Sequence, residues 1–186
     1  MAIVCCLLFV SPASANNLNI SNVVLTQANT AADTIQVQFD ISWENSWKFG
    51  TEYKDSAWVF MKYSTDSGTT WSHARLKAAG KNPSGINRGS GTTIDILVAS
   101  DLTGAFIERT NSGKGNLTTT GVQLQWDYFA NGIADGTTAR VQVFGIEMVY
   151  IPTGSFYAGD ETSSNVAGQF TDSTSKKYAI SSESVP

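Results

Sequence analysis

Ile35, Val37, Phe39, Ile41 and Trp43 alternate without a break with Gln36, Gln38, Asp40 and Ser42. Wound as a helix, this period would scatter its apolar residues around the cylinder. Laid out as a strand, it gives one apolar face and one face of amides and acids. The run is read as a half-buried antiparallel strand. Similar runs recur at Leu18 to Thr26, Ala57 to Ser64, Thr92 to Val98, Ala105 to Arg109, Val122 to Trp126 and Ala139 to Val149. Between them lie turn-rich stretches: Lys81-Asn82-Pro83-Ser84-Gly85, Asn111-Ser112-Gly113 and Asp135-Gly136. About seven or eight short strands at this spacing predict an all-β fold, a single antiparallel β-sandwich of immunoglobulin or fibronectin type. No window keeps an apolar stripe of helical period for three turns, so helix is expected to be scarce before residue 145.

Composition narrows the partners. With 186 residues, 41% of them hydrophobic and 5 Trp, 6 Tyr and 9 Phe among them, the chain can bury the core of one domain. Its net charge is −4, and Lys176-Lys177 is the nearest thing to a basic cluster. Nucleic acid and anionic membrane surfaces are therefore excluded as partners.

Ala2 to Val10 is an uncharged apolar run followed by Ser11-Pro12-Ala13-Ser14-Ala15, which places small residues where a signal peptidase reads them. Residues 1–15 are read as a secretory signal cut after Ala15, too short to span a membrane, and the product as secreted or held in the cell envelope. Both cysteines, Cys5 and Cys6, lie inside this run. A chain starting at Asn16 would have no disulfide, thiolate nucleophile or zinc-thiolate site.

Residues with chemistry to offer are few. Trp43 and Trp58 fall on strand alternations and read as core, leaving Trp47, Phe49 and Tyr53 as loop aromatics beside Glu44, Asn45, Glu52 and Asp55. Such a set suits a sugar, whose ring stacks on an aromatic face while its hydroxyls seek amides and acids. The single His73 follows Trp71 on an alternating stretch, points to solvent and has no second histidine with which to share a metal. Glu44, Glu52, Asp55, Asp95, Asp101, Glu108, Asp127 and Asp135 are spread singly, and no spacing selects a pair for glycoside hydrolysis. No cofactor or metal is expected. The stretch Ser64-Thr65-Asp66-Ser67-Gly68-Thr69-Thr70-Trp71 resembles an Asp-box. A single copy without a repeat near 40 residues argues for a well-made hairpin turn over a propeller blade.

The region from Ile146 carries Met148-Val149-Tyr150-Ile151-Pro152-Thr153-Gly154-Ser155-Phe156-Tyr157-Ala158-Gly159. It resembles the opening of the formylglycine-generating enzyme (sulfatase-modifying factor) family. Met148, Val149, Ile151, Pro152, Gly154, Phe156 and Gly159 match its entry strand, while Ala158 stands where that family has Met. The resemblance covers only residues 146–186. It implies a bacterial secreted protein in which a β-rich leader domain, residues 16–145, precedes the incomplete start of such a domain, truncated soon after it begins. That family's activity needs a copper-binding cysteine pair, so the resemblance implies no catalysis by this chain. The expected role is docking or surface presentation against another protein surface. The alternative is a carbohydrate-binding module that uses Trp47, Phe49 and Tyr53 on glycans. The entry segment from Met148 is expected to lie outside the sandwich, with a proteolytic boundary after Glu147.

Overall fold

Alternation in the longest apolar run sets the interior. In a computed structural model that describes residues 16–149, 154–158 and 178–180, Val37, Phe39, Ile41 and Trp43 are all buried in strand β2 (Thr34–Phe49). The intervening polar residues face outward. β2 pairs antiparallel with β1 (Asn19–Asn29) on one side and with β9 (Gly113–Asp127) on the other. Each large side chain removed from water in this way contributes about 1.5–3 kcal/mol.

β2 turns through Gly50-Thr51-Glu52 into β3 (Tyr53–Ser64), and the two pair only at Lys48↔Lys54 and Phe49↔Tyr53. Beyond the tip they part. β3 then pairs with β10 (Arg140–Val149) along one edge and, in succession, with β8 (Ala105–Arg109) and β4 (Ser72–His73) along the other. β7 (Ile94–Val98) and β5 (Gly80–Lys81) extend the sheet past β8, and β6 (Asn87–Gly91) extends it past β9. The result is one antiparallel ten-stranded sheet, continuous through the hairpin tip and curled around a single core. Ala57, Val59, Met61, Ile96, Ile107, Leu117, Leu124 and Trp126 meet the β2 residues there. The all-β antiparallel expectation holds, and the only helical segment among the described residues is a 3-10 turn at Phe129–Asn131.

Two bulges shape β2. Between Trp43 and Ser46 the register with β9 gains one residue, and Asn45 takes φ 54°, a left-handed conformation that Asn tolerates. The extra residue reverses which parity points inward: Ser46 and Lys48 become buried, and Phe49 turns out. Opposite Asp40 the extra residue lies in β9, where Gly121 adopts φ 68° and donates its N–H to Asp40 Oδ1 at 2.8 Å.

Two expectations need correction. Trp58 is not core. It sits on the outer face of β3, because Ala57, Val59 and Met61 take the inner face and its own ring lies against Phe106, centroids 4.7 Å apart. The boundary after residue 145 also moves: Ile146, Glu147, Met148 and Val149 continue β10 without interruption, paired with Trp58, Ala57, Ser56 and Asp55. Backbone pairing to β3 holds them in the sheet although Ile146, Met148 and Val149 remain about half exposed. The chain divides into units 1–150 and 151–186. In the second, β11 (Phe156–Ala158) pairs antiparallel with β12 (Tyr178–Ile180). The proposed signal, residues 1–15, lies outside the described residues.

Candidate functional site

The β2/β3 tip is built around one carboxylate. Asp55, buried in β3, accepts Trp43 Nε1–H at 2.7 Å, Ser46 Oγ–H at 3.1 Å and the Trp47 backbone N–H at 2.9 Å. These bonds span the bulge and fix the direction in which the tip projects. Directly opposed residues of an antiparallel pair share a face. Phe49 and Tyr53 therefore lie on one side, with Trp47 two residues along the same strand; Lys48 and Lys54 lie on the other. Phe49 is 74% and Tyr53 48% exposed, while Trp47 is half-buried. The three aromatics proposed from sequence thus share one strand pair, without ring stacking between them among the described contacts.

On the other side of the tip, acids that sequence spacing left unpaired come together. Asp95 in β7 and Glu108 in β8 are direct cross-strand partners, both largely buried. Two like charges so placed repel, and a set of cations compensates. Lys48 Nζ donates to Glu108 Oε1 at 2.9 Å and Lys54 Nζ to Oε2 at 2.5 Å; Lys81 Nζ lies 2.9 Å from Asp95 Oδ2 and Arg88 3.4 Å from Oδ1. Burial disfavours the Asp95 charge, but the bonds from Lys81 and Asn82 outweigh it and hold its carboxyl below the usual range. Lys48, Thr51, Lys81 and Asp95 border a cavity of about 190 Å3. Lys54, Leu97 and Glu108 also line it, and continue into a second cavity of about 270 Å3 lined by Ser56, Phe106, Met148 and Val149.

That second cavity opens onto an apolar outer face. The register places Leu97 opposite Phe106, Phe106 opposite Trp58 and Trp58 opposite Ile146, one apolar row across β7, β8, β3 and β10. Phe144 stacks on Phe60 in the next row at 5.3 Å, and His73 stacks on the same Phe60 at 5.6 Å. His73 is exposed, and its Nε2 hydrogen-bonds the Thr103 carbonyl oxygen. At Gly104 a Cβ would stand 2.5 Å from Trp58 Cζ2 and 2.7 Å from the Val59 carbonyl, so glycine alone lets the β7–β8 loop pass the indole. Sequence reasoning missed this face. Its signal was present: β3 carries Trp58 and Phe60 between Ala57, Val59 and Met61, apolar on both faces.

The matches to the resembled family are divided. Met148 and Val149 end β10, and Phe156, 54% exposed, lies in β11 of the other unit. Gly154 is described without strand structure, and Ile151, Pro152 and Gly159 lie outside the described residues. The Asp-box-like stretch is a turn closed on itself. Asp66 takes the Thr70 N–H at 2.9 Å and the Thr70 hydroxyl at 2.6 Å, and Trp71 Nε1 donates to the Gly68 carbonyl at 3.1 Å. No group of three or more His, Cys, Asp or Glu is placed to hold a metal ion among the described residues, and none of their helices is long and apolar enough to cross a membrane.

Several carboxyls are held ionised by donors. Asp40 is lowered by Asn22 and Gly121, Asp66 by Thr70 and Ser64, and Asp101 by Thr103, all from an ordinary value of 3.8. A folded-state pKa below the unfolded one stabilises the fold above the unfolded value and loses that contribution as pH falls through the folded one. The melting temperature should therefore hold level down to about pH 5 and fall steadily below about pH 4. A melting temperature unchanged down to pH 2.5 would show that these bonds do not favour the charged forms.

No family model matches the chain, and no curated protein or solved structure matches it either.

Proposed function

We propose that this chain is an exported, non-catalytic binding module that docks another protein through the outer face of β3, β8 and β10. One observation carries the reading: the row from Leu97 to Ile146, with Phe60 and Phe144 beside it, leaves large apolar side chains facing water, Ile146 at 51% and Met148 at 43%. Contiguous apolar surface of this kind marks interaction sites. The cross-strand acid pair, Asp95 and Glu108, is occupied by lysines, which leaves neither carboxyl free to donate or accept a substrate proton. Export rests on the Met1 to Ala15 leader. A place ahead of a sulfatase-modifying-factor-like domain rests on the Met148 to Gly159 resemblance alone.

A photo-crosslinking phenylalanine analogue introduced at Phe144 or Ile146 in secreting cells should yield an adduct of discrete mass. The same analogue at Phe129, 66% exposed elsewhere, should yield none. Equal adducts from all three positions, or none from any, would remove the docking reading.

A second reading, glycan binding at the hairpin tip, is favoured by the direct opposition of exposed Phe49 and Tyr53. Ring stacking on a pyranose needs aromatic faces open to solvent, and this tip supplies two.

A further inference from the structure

We propose that the double cleft bounded by Lys54, Leu97 and Glu108 receives a protein segment carrying an acidic side chain next to an apolar one. The inference rests on the docking reading and names the chemistry of its partner.

The charged end has spare donors. An ammonium group has three N–H bonds and no acceptor. Lys48 uses two of its three, on Glu108 and on the Arg109 carbonyl at 2.8 Å. Among the described residues, Lys54 uses one on Glu108 and Lys81 one on Asp95. Lys48 is itself more than nine-tenths buried, with 8% of its side chain exposed. Three lysines against two carboxylates, with Arg88 on the far oxygen of Asp95, leave a local positive excess in a chain of net charge −4. Glu108 and Asp95 hold the lysine heads in place, so a third carboxylate would meet preformed donors rather than order them on arrival.

The other end selects against sugar. Its walls are Leu97, Phe106, Met148 and Val149, with Ser56 the one hydroxyl side chain and the Lys54–Glu108 pair on the side shared with the lysine pocket. A pyranose seated there would find partners on that side only and would leave its other hydroxyls desolvated against the apolar walls, whereas a leucine, isoleucine or valine side chain has none to lose. Its 270 Å3 accommodates one such side chain, and the lysine pocket lies directly adjoining. An acidic residue within one or two positions of an aliphatic one fits both.

A displayed random-peptide library panned against the full chain tests this, with selected peptides resynthesised and titrated calorimetrically at low and high salt. Enrichment of Asp or Glu beside Leu, Ile, Val or Phe is expected. Lys54→Gln with Lys81→Gln should weaken binding about tenfold or more, as should Asp→Asn or Glu→Gln in the peptide, and added salt should act in the same direction. Both lysine heads reach solvent, and a melting curve of the double variant confirms its fold; Leu97→Ser is the second variant and should also weaken binding. Phe129→Ser, at a residue exposed away from the cleft, should leave binding unchanged. Selection of no consensus, a consensus lacking an acid, or peptides indifferent to both variants would overturn the proposal. So would lysine-dependent retention of a polyuronate in place of any peptide. The docking reading fails separately: if Ile146 crosslinking persists while no acidic peptide is selected, the face stands and the partner chemistry is wrong. Selected acidic peptides without Ile146 crosslinking give the reverse.

Discussion

Asp55→Ala should lower the unfolding free energy by about 3–5 kcal/mol, a large part of a small domain's stability. The substitution removes the common acceptor of Trp43 Nε1–H, Ser46 Oγ–H and the Trp47 N–H, the first two buried and the third partly so. Each orphaned donor costs about 1–3 kcal/mol when water cannot replace the lost partner. Asp55→Asn should cost less than alanine but still measurably, because its amide can accept through one atom only and turns an N–H donor toward donors. Urea unfolding followed by tryptophan fluorescence gives the comparison. A loss below about 1 kcal/mol for alanine would mean that solvent reaches the bulge and that the tip is not fixed by this carboxylate.

Glu108→Ala should be nearly as severe, about 3 kcal/mol or more, because it strands the Lys48 ammonium in a buried site beside Lys54. The double variant Lys48→Met with Glu108→Leu should recover most of that loss. Apolar residues of similar volume avoid the desolvation of both charges, although Lys54 and the Arg109 carbonyl must then find solvent. Equal destabilisation of the single and double variants would show that the pair stabilises the fold outright rather than through mutual compensation.

Much of the architecture was written in the alternation. β2 and β3 cover runs recognised from period two, β1, β7 and β10 begin one or two residues inside theirs, and β8 matches its run residue for residue. The first half of β9 was hidden because Asn111-Ser112-Gly113 reads as turn and Gly115 and Gly121 break the apolar alternation, whereas here glycine supplies the positive φ of a strand bent around the core. The extension of β2 past Trp43 was hidden for a related reason. The bulge at Asn45 reverses the parity of alternation, so a period-two pattern ends although the strand does not.

The site was less legible. Period two states that Trp58 and Phe60 share a face, but with Ala57, Val59 and Met61 also apolar it does not state which face is inside. The Asp95–Glu108 pair depends on the β7/β8 register and the ion pair of Lys48 on a residue 60 positions away. Such relations arise from pairing between strands, and local spacing does not carry them. The tip aromatics were found because Trp47, Phe49 and Tyr53 are close in sequence as well as in space.

Docking through the outer face is tested most directly by hydroxyl-radical footprinting of the chain in its native cellular setting against the purified chain. Phe144, Ile146 and Met148 should label several-fold less in the native setting, while Phe49 and Phe129, exposed away from that face, should label equally in both. Equal labelling of Phe144, Ile146 and Met148 in the two preparations would contradict a docked face, and protection confined to Phe49 and Tyr53 would transfer the binding function to the hairpin tip.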